Sequence, residues 1–177
     1  INLIGDHNYE NVMAALAIAE AAGVPSDITI DVTKNFHAVE HRIEKVDTID
    51  GVVYYNDSKG TNTDASIKAI KAMSRPTLLI AGGYDKNSPY DDFIENFDGK
   101  IKELVLIGAT AEKIKACALE HGFTNIKMAD SLEEAVSICK ADSENGDAVL
   151  LSPACASWDM FKSYEQRGRL FKDLVKG

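Results

Sequence analysis

Cysteine is scarce in this chain of 177 residues. Cys117, Cys139 and Cys155 are the only three, with no CxxC pair and no histidine expected at ligand spacing. That excludes a disulfide scaffold and a zinc-finger module. Cys117 and Cys139 read as buried thiols in helix-like segments, and a reduced, cytoplasmic setting is expected. Basic residues are in deficit, 19 Lys and Arg against 28 Asp and Glu, for a net charge of −9. With a pI near 4.9 and no basic stripe, nucleic acid is not an expected partner. No apolar run reaches membrane-spanning length and no signal peptide is present, so no membrane partner is expected either.

Several catalytic motifs are missing too. There is no GxxxxGK[ST] loop, no GxGxxG, no GxSxG and no HExxH; Gly99-Lys100 lacks the upstream glycine. A P-loop enzyme, a dehydrogenase or a serine hydrolase is therefore incomplete within these residues. An initiator Met is also missing. Ile1-Asn2-Leu3-Ile4-Gly5 reads as the end of a strand, and the chain is expected to be cut from a longer protein.

What is present is an alternation of strands and helices. Hydrophobic residues make up 45% and charged residues 27%, enough for a folded domain with a real core. Asn8 to Ala22 reads as an Ala-rich helix stopped by Gly23 and Pro25, and a short helix runs from Ser26-Asp27 to near Phe36. Residues 43–49 alternate, Asp50-Gly51 is a hairpin signal, and Val52–Tyr55 follows as a strand. Thr77–Ala81, Glu103–Ile107 and Ala148–Leu151 are short apolar runs of the kind covered on both faces, with a weaker strand at Asn125–Met128. Helices are expected at about 63–74, 89–97, 110–121, 131–143 and 158–176. The pattern predicts an α/β fold. Its Rossmann-like sheet has about six mostly parallel strands and one antiparallel strand, with helices on both faces. A domain boundary is expected near 37–41.

Three strand-to-helix loops carry the chemistry, and in a parallel sheet they share one edge. They are Asn56–Asn62, Gly82–Pro89 and Ser152–Ser157; a fourth, Gly108-Ala109-Thr110, has no charged group and reads as a plain connection. Each hydroxyl also has a plain reading as a cap: Thr61 with Asp64, Ser88 with Asp91, and Ser157 before Trp158. Lys59 and Lys86, taken singly, are ordinary surface lysines. Together with helix N-termini on one edge, they suit a small dianion.

These residues resemble the Mur ligase family, and within it the branch that adds D-glutamate in peptidoglycan synthesis. Gly5-Asp6-His7-Asn8 with Asn11 and Ala14-Ala15 is similar to a segment common to the family, and His41-Arg42-Ile43-Glu44 to its HR-x-E signature. Asn56-Asp57-Ser58-Lys59-Gly60-Thr61-Asn62 resembles NDSKATN. Ser152–Ser157 reads SPACAS, followed by Asp159, Phe161, Glu165, Arg167-Gly168 and Phe171. Gly60, Trp158 and Tyr164 stand where Ala, Leu and Phe are common.

The resemblance implies residues 1–38 as the end of a central ATP-binding domain and 39–177 as the amino-acid-binding domain. It implies an ATP-dependent amide ligase acting on UDP-N-acetylmuramoyl-L-alanine and D-glutamate through an acyl phosphate. ATP and magnesium would be bound mainly by residues outside this chain, and the chain by itself would be an inactive monomer. By position, Lys86 and Thr61 would hold one glutamate carboxylate, and Ser157 with the backbone N–H of Tyr164 the other, with Lys59 beside them. Asn11, Arg42 and Asp57 would reach the nucleotide, and His41, Arg42 and Lys59 the reacting centre. Gly82 and Gly83 would admit a ligand close to the backbone. Other readings are a sibling Mur or folylpolyglutamate-type ligase, or a glutamate- or nucleotide-binding module without catalysis.

Overall fold

The computed structural model describes residues 3–177. The expected strand end at 1–5 falls partly outside them, and Leu3 and Ile4 are not in a strand. Helices α1 (Asp6–Ala21) and α2 (Ser26–Asn35) come first. They are followed by β1 (Glu44–Ile49), β2 (Val52–Asn56), α3 (Thr63–Ala72), β3 (Thr77–Ala81) and α4 (Asp91–Glu95). The chain continues through β4 (Ile101–Leu106), α5 (Ala111–Glu120), β5 (Ile126–Met128), α6 (Leu132–Asp142), β6 (Ala148–Leu151) and α7 (Tyr164–Lys176).

The six strands form one sheet in the order β1-β2-β6-β3-β4-β5. Only β1 is antiparallel, joined to β2 through Asp50-Gly51. Both turn residues have positive φ, 51° and 82°, as a two-residue hairpin matched to strand twist requires. The other five strands are parallel, so their C-terminal ends share one edge.

Two apolar layers sandwich the sheet. On one face α3, α4 and α5 bring Ile70, Phe93 and Ile114 onto Leu79 and Leu104. On the other, α6 and α7 bring Leu132, Val136 and Phe171 onto Leu78, Ile80 and Val149. The expected fold class is thus the observed one. The helices α1 and α2 stand apart from both layers. Neither has a buried residue, and Met13, Ile18, Val32 and Phe36 are exposed.

Several boundaries and caps differ from expectation. The last helix begins at Tyr164, not near 158, because Ser163 caps it by accepting from Gln166 N. Ser157 instead closes a turn, its carbonyl accepting from Met160 and Phe161. Asn62, not Thr61, caps α3 by accepting from Ala65 N at 2.9 Å. Ser88 caps nothing, since α4 starts after Tyr90 without a side-chain cap.

Gly168 lies in the interior of α7, where glycine costs about 0.5–1 kcal/mol relative to alanine. Its reason is the ring of His41: a Cβ at 168 would sit well inside contact distance of Nδ1. Gly168→Ala is therefore expected to destabilise the fold by about 1–3 kcal/mol, the usual cost of overpacking, instead of stabilising a helix. Urea unfolding measures this, and equal or greater stability would refute the packing argument.

Candidate functional site

The strand order reverses between β6 and β3. From β3 the chain moves outward to β4 and β5, then returns to insert β6 on the other side of β3. The loop after β3 leads to α4 on one face and the loop after β6 to α7 on the other. Such a switch point opens a crevice at the strand C-termini. The two loops are stitched at its floor by an antiparallel bridge, with Tyr84 N donating to Ala156 O at 2.9 Å.

A cavity of about 260 Å³ lies here, lined by Thr61, Lys86, Ala156, Ser157, Trp158, Ser163, Tyr164 and Glu165. It gathers four of the five expected amino-acid contacts from all three chemical loops and α7. Lys86 is exposed, its Nζ 5.2 Å from the centroid of the Trp158 ring. The fifth contact, Lys59, does not line the cavity; its Nζ stands 5.7 Å from the ring centroid of Tyr164, which does. Tyr164 opens α7, so its N–H is one of the first-turn donors that have no acceptor inside the helix.

A second cavity, about 370 Å³, is lined mainly by Leu3, Val12, Ala15, Val32, Phe36 and Val39, with Asn8, Asn11, Thr33 and Arg42 among them. It brings together two of the three expected nucleotide contacts, Asn11 and Arg42. The third, Asp57, lies elsewhere. It is buried, with Oδ1 accepting from Ile43 N at 3.2 Å and Oδ2 from the Ser152 hydroxyl at 2.7 Å. Burial pushes its carboxyl up to about 7, against the opposing pull of those hydrogen bonds and of Arg42 and Arg167.

His41 is buried as well. Asn56 Nδ2 donates to its Nδ1 at 2.9 Å, which leaves the proton of the neutral ring on Nε2. Nε2 has no hydrogen-bond partner, and burial lowers the ring's pKa. The backbone at His41 and Ile43 has φ of 65° and 45°, strained for any side chain and most of all for β-branched Ile43. Asp57 holds Ile43 N, Glu44 holds His41 N, and Lys59 N donates to His41 O, so the loop after β2 over-determines this turn.

Arg167, named in the sequence only as part of a motif and given no role there, makes the most hydrogen bonds here. Arg167 of α7 is only 1% exposed. Its Nε donates to the Ser58 hydroxyl at 3.0 Å, and Nη2 to Ser58 O at 2.8 Å and Cys155 O at 3.3 Å. Nη1 reaches Cys155 O and Ala156 O. The signal available was Arg167-Gly168 on the same helical stripe as Phe171 and Val175.

The fourth loop also needs correction. Thr110 Oγ accepts from Gly83 N at 3.0 Å, and Ala109 N donates to Asp159 at 2.9 Å, so this loop fastens the other two. Gly82 and Gly83 face the protein itself: a Cβ would strike Ile107 O or Ala156 O. Contrary to the expectation of no histidine at ligand spacing from a cysteine, His121 at the C-cap of α5 stands beside Cys117.

Two outcomes are expected. Arg167→Met leaves the buried carbonyls of Ser58 and Cys155 short of donors, at about 1–3 kcal/mol for each one unsatisfied, whereas Ala156 O keeps its bond from Tyr84 N. Chemical denaturation should show that loss, and near-normal stability would contradict it. Asp57 has a folded pKa above its unfolded value, so its contribution is full at pH below about 4 and fades as pH rises through about 7. Asp57→Asn should therefore gain stability relative to the parent as pH goes from 4 to 8. A stability difference that is flat across that range would overturn the assignment.

Comparison with known proteins bears on the family and the fold. Residues 41–155 match the family model described as Mur ligase, glutamate ligase domain. A UDP-N-acetylmuramoylalanine–D-glutamate ligase of Lachnospira eligens is 61% identical over 99% of this chain and 39% of its own length. The enzyme of that name from Clostridioides difficile is 50% identical over the same shares. The chain thus spans about 39% of the length of these curated relatives. Among solved structures, UDP-N-acetylmuramate-alanine ligase of Thermotoga maritima superposes with a TM-score of 0.73 at 15% identity, over 98% of this chain and 39% of that one. Folylpolyglutamate synthase of Mycobacterium tuberculosis does so with 0.69 at 15%, over 96% and 41%. At such identity these structures speak for the fold alone. The fold, the family match and the identity to curated relatives agree, and the chain belongs to the Mur ligase family, carrying its glutamate ligase domain.

Proposed function

We propose that this chain supplies the amino-acid-binding part of an ATP-dependent carbon–nitrogen ligase that joins D-glutamate to UDP-N-acetylmuramoyl-L-alanine in peptidoglycan synthesis. The observation that carries the reading is the switch-point cavity, where Thr61, Lys86, Ser157 and Tyr164 meet. These are donors on several walls of one small cavity, as recognition of an amino acid with two carboxylates requires. Lys86 and Thr61 hold one carboxylate. Ser157 and the Tyr164 N–H hold the other, aided by the positive end of α7.

In this reaction ATP phosphorylates the free carboxylate of the sugar peptide and leaves as ADP. The amine of D-glutamate attacks the acyl phosphate carbon, the tetrahedral intermediate expels phosphate, and an amide remains. Lys59 and Arg42 offset negative charge around the phosphorylated carboxylate, with His41 packed beneath them. The cavity at α1 and α2 suits a nucleotide: its apolar walls fit a purine face, Asn11 offers an amide for the ring edge, and Arg42 a cation for phosphate. Asp57 serves that side by fixing the turn that carries Arg42.

Magnesium fits this chain less well. Among the described residues, the two clusters of closely spaced ligand atoms contain histidine or cysteine, and neither is an all-oxygen set beside the cavities. The ion is assigned to residues outside this chain, and residues 1–38 are assigned to the nucleotide-binding domain. The exposed apolar residues of α1 and α2 support that division. No helix among the described residues is long and apolar enough to cross a membrane, and the three cysteines are free, in keeping with a cytoplasmic enzyme.

Lys86→Ala in the full-length protein is expected to lower kcat/KM for D-glutamate by about 2–5 kcal/mol, the cost of leaving a bound carboxylate without its cation. The KM for ATP should stay near its parent value. Unchanged kinetics for D-glutamate would remove Lys86 from the site and with it the reading of this cavity.

A further inference from the structure

We propose that Asp91, Cys117 and His121 form a transition-metal site of the zinc type on the α4–α5 face, apart from both cavities and independent of the proposed reaction. One carboxylate oxygen, the thiol and one imidazole nitrogen lie within 4.8 Å of one another. Tetrahedral zinc places such donors about 3.3–3.6 Å apart, given bonds of about 2.0–2.3 Å. His121 Nε2 and Asp91 Oδ1 already stand at 3.1 Å. The remaining closure falls to the thiol, and Asp91 can follow because its carboxylate is 63% exposed.

Three features favour a metal over a simple ion pair. Cys117 in the last turn of α5 and His121 at its C-cap are four residues apart, which brings sulfur and nitrogen to the same side of the helix end. Glu95 of α4 stands 3.8 Å from His121 Nδ1, on the ring edge away from Asp91. Drawn in to hydrogen-bond distance, that carboxylate would orient the imidazole and strengthen its other nitrogen as a ligand. Third, among the described residues the only cationic partner recorded for Asp91 and Glu95 is His121 itself. The contrasting cluster, Glu40-His41-Glu44, already holds Lys172 against both carboxylates at 3.0 and 2.8 Å.

Thiolate and imidazole together select zinc, cobalt or copper over magnesium and calcium. Three protein ligands leave the fourth position to water. Binding would clamp the start of α4, which follows the loop that carries Lys86, to the end of α5.

The test is cobalt absorption with the metal-free full-length protein, since tetrahedral thiolate-bound Co²⁺ gives both d–d and sulfur-to-metal bands. The expected result is that the parent shows them, zinc bleaches them, and Cys117→Ser and His121→Ala each remove this signal. Zinc should also slow alkylation of Cys117 in the parent but not in His121→Ala. No band in the parent overturns the site. So does a band that survives His121→Ala, which would mark a bare thiol adduct, or one that survives Cys117→Ser.

Discussion

The arrangement at the sheet edge depends on one buried cation. The Arg167 guanidinium is removed from water without a carboxylate in direct contact, and burial draws its pKa down to about 10. Such burial is tolerable only because backbone and hydroxyl oxygens take up its donors. Those oxygens belong to Ser58 in the loop after β2 and to Cys155 and Ala156 in the loop after β6. Lys59 follows the first of these contacts and Ser157 the last. A single planar group on α7 therefore ties together the outer parts of two loops that are joined nearer their roots by the Ser152–Asp57 hydrogen bond. Lysine could not replace it, having no planar fork to span carbonyls from separate loops.

A second set of contacts works outward from the same helix. Gly168, the next residue, lets His41 press against α7, while Asn56 Nδ2 bonds both His41 and Gly168 O. His41 opens the strained turn that presents Arg42 to the second cavity. The strain at His41 and Ile43 persists because Asp57, Glu44 and Lys59 each hold a backbone group of that turn. The short loop from Asn56 to Thr61 thus bears on both cavities, on one indirectly and on the other directly: its acid fixes the turn that carries Arg42, and its threonine lines the switch-point cavity. Any shift of Arg167 would be felt at both.

The layers of this fold were legible in the sequence because burial leaves a local mark. Runs such as Thr77–Ala81 and Ala148–Leu151 are apolar throughout, as strands covered on both faces must be. Asp50-Gly51 is legible for the same local reason. The caps were less so, since Thr61 and Asn62, or Ser157 and Ser163, are chemically equivalent candidates and tertiary contacts choose between them. Arg167 and Thr110 left little trace because Ser58 and Gly83, which they bond, are 109 and 27 residues away, and nothing local distinguishes a buried polar residue from a solvated one. The glycines at 82 and 83 were read as open to a ligand, whereas the close neighbour is the backbone of an adjoining loop. Cys117 and His121 show the same gap, because a spacing of one turn gains meaning only once α4 brings Asp91 beside it.

Trp158 bears on how the proposed pocket handles an exposed lysine. Its ring is 65% exposed, packs at 5.6 Å against Tyr84, and lies beneath the Lys86 ammonium. A flexible lysine pays side-chain entropy each time it is fixed on a ligand. Resting on the indole face stabilises it by about 0.5–1 kcal/mol at an exposed site. A hydrogen bond to a charged carboxylate contributes about 1.5–3 kcal/mol, so the ligand wins the competition without a large prior barrier. The aromatic face therefore holds the ammonium near its working place while leaving it free to leave. Leu at this position would pack as well but would offer no quadrupole. In the proposed pocket the gain from Trp158 would lie in where Lys86 waits, and a bound carboxylate would supply the rest.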